Sequence, residues 1–136
     1  MRVSTKGRYG LRAMVDLATH AEDGKISLVH IAKRQNISLN YLEQVFAALR
    51  KAGLVKSVKG AAGGYLLASP PEDIKIEDIL SVLEGKFNII EENEVCRCQD
   101  NVQKAIKQLV WDPINEKVNE YIKTTRLADL VQQKEG

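Results

Sequence analysis

The sequence predicts a mainly α-helical chain with one small β-hairpin. Three observations carry this. Two short, capped amphipathic segments follow one another between residues 27 and 50. Two short apolar runs flank a glycine-rich tip between residues 54 and 68. Apolar residues then recur at helical spacing from Val102 to Ile122.

Residues 9–20, YGLRAMVDLATH, read as the first helix, with Leu11, Met14, Val15 and Ala18 on one face. AEDGK, 21–25, is a loop in which Gly24 is a natural terminator. Ser27 caps the short helix LVHIAKRQ, whose apolar positions are Leu28, Ile31 and Ala32. Asn36 and Ile37 make a tight turn. Ser38 is a second cap, and the next helix runs to about Arg50, with Leu42, Val45, Phe46 and Leu49 repeating at three and four. Basic residues followed by Gly53 end it. Two short helices joined by three or four residues make a helix-turn-helix. Residues 54–58 then read as a strand, 59–64 as its tip and 65–68 as the return, stopped by Pro70 and Pro71. That order is a winged helix-turn-helix.

Residues 73–83 form a further helix with Ile76, Ile79, Leu80 and Leu83 on its apolar face. Residues 84–95 are acidic and loop-like. Residues 100–111 are helical. Pro113 either kinks this helix or opens a new turn capped by Asp112. Thr125 caps a last short helix containing Leu127, Leu130 and Val131. The expected plan is therefore a winged helix-turn-helix DNA-binding domain at 1–83 and a loop carrying Cys96 and Cys98 at 84–99. A long dimerisation helix and a C-terminal helix packing on the first domain occupy 100–136.

Charge separates the halves. Residues 1–70 hold 11 Lys or Arg against 4 Asp or Glu, whereas residues 71–136 hold 9 against 14. A basic half attracts polyanions and gains from released counterions. The recognition helix of a helix-turn-helix enters the major groove by its N-terminal residues, here Ser38, Asn40, Tyr41 and Gln44. Asn40 and Gln44 lie on one face, and each can offer a donor and an acceptor to a base edge; the alternative is two solvated surface amides. Lys6, Arg8, Lys33, Arg34, Arg50 and Lys56 are candidate phosphate contacts, with Ser4, Thr5 and Tyr9 as hydroxyl donors. Lys59 stands at the wing tip beside Gly63 and Gly64, which permit close backbone approach.

Val102, Ile106, Leu109, Val110, Ile114, Val118, Tyr121 and Ile122 form a stripe that a second copy would cover. The other arrangement packs the stripe back on its own chain. A homodimer would present two recognition helices to an imperfect palindrome of double-stranded DNA.

With 136 residues, 44% hydrophobic and 28% charged, the chain suits one small domain or a domain with an appendage. No apolar run approaches the ~20 residues of a membrane span. Arg12 and Asp16 interrupt any signal-peptide core after the N-terminus, so the expected location is the cytoplasm with no membrane partner. Cys96 and Cys98, one residue apart, are poorly placed for a disulfide and read as reduced thiols. No convergent Ser/His/Asp or Cys/His set is legible, which argues against an enzyme. A winged module that binds protein without DNA is a weaker alternative, disfavoured by the basic half.

The segments MRVSTKGRYGLRAM, ISLNYLEQVFAALRKAGLVKSVKGAAGGYLLA, DILSVLEG and TTRLADLV resemble the bacterial winged-helix regulators that include IscR, NsrR and CymR. The resemblance covers nearly the whole chain. It implies a dimeric transcription regulator, usually a repressor, with Tyr41 and Gln44 in the recognition helix and Lys59, Gly63 and Gly64 in the wing. Cluster-binding members carry three cysteines before the dimerisation helix. Here only Cys96 and Cys98 occupy that loop, with no third cysteine near Lys104 and Ala105. Gln108 stands where some members have a histidine, and Arg8 where some have an acidic ligand. The resemblance therefore implies no resident cofactor as the first expectation, with an iron–sulfur cluster as the alternative. The missing ligands favour a role like that of CymR in cysteine and sulfur metabolism, with a cysteine-synthesis enzyme as partner. Control of iron–sulfur assembly genes, and redox or nitric-oxide sensing through a cluster, are the other regulatory readings.

Overall fold

The computed structural model describes residues 3–60, 63–85 and 101–135. Helix α1 (Thr5–Thr19) lies at the centre, with α2 (Leu28–Gln35), α3 (Leu39–Lys51) and α4 (Ile76–Glu84) around it. The core is built from the apolar faces that the spacing marks: Met14 and Leu17 of α1, Ile31 of α2, Leu42, Val45, Phe46 and Leu49 of α3, and Ile79 of α4. Strands β1 (Val55–Val58) and β2 (Gly64–Leu67) pair antiparallel, Val55 opposite Leu67 and Val58 opposite Gly64. The fold is a winged helix-turn-helix.

Both expected serine caps are present. The Ser27 hydroxyl accepts from the Val29 amide, and the Ser38 hydroxyl from the Tyr41 amide, each at 3.2 Å. Between them Asn36 takes the left-handed conformation at φ 54°, which asparagine tolerates better than most residues and which ends α2. Ile26, which lies between the expected 21–25 loop and the Ser27 cap, exchanges two backbone hydrogen bonds with Tyr65 at 2.9 and 2.8 Å and adds a third segment to the wing.

Several boundaries differ from the sequence expectation, each for a tertiary reason. Helix α1 begins at Thr5 rather than Tyr9, because Glu84 satisfies its first donors: Oε1 accepts from the Ser4 amide at 2.7 Å, the Ser4 hydroxyl at 2.6 Å and the Gly7 amide at 3.0 Å. Helix α4 begins at Ile76 rather than Asp73. The intervening backbone is drawn into extended pairing, with the Leu127 amide donating to the Ile74 carbonyl at 2.9 Å and the Ile76 amide to the Thr125 carbonyl at 3.0 Å. Thr125 does not cap the last helix, α7 (Leu127–Glu135). Its hydroxyl points back to the Tyr121 carbonyl, and Asp129 accepts from the Arg126 amide at 2.8 Å instead. Leu127 is fully buried and helps to hold α7 against α1.

Pro113 does not interrupt the helix, and no cap precedes it. Asp112 is itself helical, at φ −63° and ψ −45°. Helices α5 (Asn101–Ile106) and α6 (Asp112–Thr124) run continuously through a π-turn, Lys107–Trp111, in which the Asp112 amide bonds the carbonyl five residues back. A proline lacks the amide that the fourth carbonyl before it would receive and clashes with that carbonyl. The wider turn accommodates both defects.

Candidate nucleic-acid interface

The N-terminal turns of α1 and α3 converge on one shallow groove of about 260 Å³, lined by Thr5, Tyr9, Ile37, Ser38, Asn40, Tyr41 and Gln44. Asn40 and Gln44 are exposed, one turn apart on the same face of α3. Tyr41 is half-buried, its ring edge-on to Tyr9 with centroids 6.0 Å apart. The Arg8 and Arg12 guanidiniums lie 6.0 and 5.2 Å from the Tyr9 ring centroid. Lys6 and Arg8 are exposed on the first turns of α1, beside this groove.

The remaining cations are not all brought together with it. Lys33, Lys56 and Lys59 are exposed, with Lys56 on the outer face of β1 and Lys59 at the start of the wing tip. Arg50 is exposed but sits in the last turn of α3, about 15 Å along the axis from Asn40. Gly63 and Gly64 have packing reasons of their own. A Cβ at Gly64 would stand 2.8 Å from the Ile26 carbonyl oxygen, and one at Gly63 would stand 2.9 Å from that of Val58.

Arg34 is placed differently from a phosphate contact. Its guanidinium grips Asp16, with Nη2 2.7 Å from Oδ1 and Nε 3.0 Å from Oδ2. Asp16 is 1% exposed. Gln35 Nε2 donates to the same carboxylate at 2.9 Å, and His20 Nδ1 stands 3.5 Å from it. Burial pushes the Asp16 carboxyl upward, but the Arg34 and Gln35 hydrogen bonds, with the charges of Arg34 and His20, outweigh it and hold the group below its ordinary value. Arg12 donates to the carbonyl and side chain of Gln35 at the end of α2. Thus Tyr9, Arg12, Asp16 and His20 form a polar stripe along α1 that braces the turn ahead of the recognition helix. Their spacing of three, four and four was the available signal for it.

The long helix is unusually bare. Every residue from 101 to 114 is exposed, including Val102, Ile106, Leu109, Val110 and Ile114. Tyr121 is 71% exposed. Val118 is half-buried, and Ile122 departs from the exposed stripe: it lines a cleft with Leu80 and Ser81 of α4. Cys96 and Cys98 lie outside the described residues. Among the described residues, no three His, Cys, Asp or Glu side chains converge as metal ligands, and no helix is long and apolar enough to cross a membrane.

The fold and this interface define a DNA-binding transcription regulator of the winged-helix class. Residues 3–133 match the Rrf2 model, described as an iron-dependent transcriptional regulator, and the chain belongs to that family. It is 43% identical over 136 residues to the HTH-type transcriptional regulator CymR of Bacillus subtilis, covering 100% of this chain and 94% of the relative. The solved structure of CymR, described as the global cysteine regulator of B. subtilis, superposes with a TM-score of 0.85 at 42% identity, over 98% of both chains. The structure of T. potens IscR gives a TM-score of 0.78 at 45% identity, over 98% of this chain and 88% of that one. These relatives are regulators and not enzymes.

The family description raises the question of iron. A cluster requires about four donors, usually thiolates. This chain supplies two cysteines, Cys96 and Cys98. The thiols of one chain are fewer than that number.

Proposed function

We propose that this regulator is a homodimeric repressor that reads an imperfect palindrome and controls genes of cysteine or sulfur metabolism. The observation that carries the DNA-reading part is the groove where Asn40, Tyr41 and Gln44 of α3 meet Thr5 and Tyr9 of α1. The exposed apolar residues of α5 and α6 support the dimer. The short donor set and the likeness to CymR support a regulon of the cysteine type and regulation through a cysteine-synthesis enzyme or the Cys96–Cys98 thiols. The family's description as iron-dependent favours a second reading, a cluster-sensing regulator of iron–sulfur assembly genes. Iron and sulfide analysis of anaerobically purified protein separates the two: stoichiometric iron and sulfide establish the second, and an iron-free dimer the first.

DNA reading has its own test. Gln44→Ala is expected to weaken a cognate duplex by about 1–3 kcal/mol and random DNA very little. Lys56→Ala is expected to weaken both alike and to reduce the salt slope by about one. Anisotropy titrations over several salt concentrations measure each. Equal loss on both duplexes for Gln44→Ala removes its assigned role.

A further inference from the structure

We infer that Glu84 is a positioning residue for DNA binding, acting through the N-terminus of α1. The inference rests on the DNA-reading groove proposed above. Glu84 occupies the C-terminal end of α4, where a negative charge opposes that helix's own dipole. Its location is explained by a different helix. One carboxylate oxygen collects the Ser4 amide, the Ser4 hydroxyl and the Gly7 amide, two of which are the donors a capping box satisfies from within. Ser4 itself makes no side-chain cap to α1. A negative charge at this N-terminus favours the α1 dipole.

Gly7 completes the arrangement. A Cβ there would stand 2.2 Å from Glu84 Oε1, so the carboxylate reaches the helix only because residue 7 has no side chain. Three residues on, a Cβ at Gly10 would stand 2.2 Å from Leu83 Cδ1. Helices α1 and α4 therefore meet without side-chain slack, and Glu84 fixes the first turn of α1. That turn carries Lys6 and Arg8 and leads to Tyr9, whose ring packs on Tyr41 of the recognition helix. Glu84 thus holds one wall of the DNA groove from behind, without touching DNA.

The test uses the full chain, a duplex enriched by the wild-type protein from a randomised pool, and a random duplex of equal length. Glu84→Ala should weaken the enriched duplex about tenfold, a loss of about 1.4 kcal/mol, and the random duplex less than about twofold. Glu84→Gln should recover most of the loss, because an amide oxygen still accepts. Gly7→Ala should weaken the enriched duplex in the wild-type background and do little in the Glu84→Ala background, since the clash is gone. The inference is overturned if Glu84→Ala binds the enriched duplex like wild type. It is equally overturned if both duplexes are lost in step with the unfolding midpoint, or if the two substitutions act additively. A wild-type protein that enriches no duplex overturns the groove reading itself, and the inference with it.

Discussion

Arg34→Ala is expected to destabilise the folded chain by about 2–4 kcal/mol, measured by denaturant unfolding. The substitution leaves Asp16 ionised, buried and deprived of its bidentate partner. Breaking a fully buried pair costs about 3–5 kcal/mol. The Arg34 side chain keeps 36% of its exposure, so solvent moderates the loss. Asp16→Asn should cost less, because the amide can still accept from Gln35 or Arg34 and leaves no buried charge. The same site sets an acid limit. The Asp16 carboxyl is held below its ordinary value of 3.8, so its contribution is complete above that pH and is lost as pH falls through the lower, folded value. Arg34→Ala should therefore flatten the decline of stability below about pH 4. An unchanged acid limb would show that other carboxylates govern it.

Leu109→Glu is expected to convert the proposed dimer to monomer, raising its dissociation constant at least about 1,000-fold, equivalent to about 4 kcal/mol. Leu109 is 78% exposed in the isolated chain, so the change should not disturb the fold itself. In a two-fold interface the substitution appears twice. Each copy removes a leucine contact of about 2 kcal/mol and places a carboxylate against apolar surface without a partner. Sedimentation equilibrium measures the assembly, and circular dichroism checks that helicity is kept. A variant that remains dimeric would move the interface off this face. Affinity for a palindromic duplex should fall with the dimer, while a single half-site is bound as before.

The local features of the fold were legible because they depend on near neighbours. Ser27 and Ser38 lie within three residues of the amides they cap, and the apolar face of α3 repeats within its own length. The missed boundaries depend on contacts distant in sequence. Glu84 starts α1 from 80 residues away, and residues 125–127 delay α4 from about 50 away. The candidate site divides in the same way. Asn40, Tyr41 and Gln44 could be placed from the order of elements, since the start of a recognition helix is defined by its cap. Arg34 could not. Its type suits phosphate contact, and only the packing of α2 on α1 shows that Asp16 already holds it. Ile122 fits the spacing of the exposed stripe, yet α6 turns it toward α4.

The wide turn before Pro113 bears on how far apart two DNA-reading ends would stand. In a regular helix, a stripe spaced by fours advances about 40° around the axis at each step. The five steps from Val102 through Ile106, Val110, Ile114 and Val118 to Ile122 accumulate about 200°. One additional residue taken into a wide turn returns about 100° of that. Upstream of the turn the helix offers its apolar residues outward, and downstream it rests on α4. The turn therefore acts as a phase setting between the exposed apolar portion and the portion packed on α4. In a dimer joined along α5, that single residue of phase would determine the rotation of each reading head about the shared seam, and through it the half-site spacing that the pair can span.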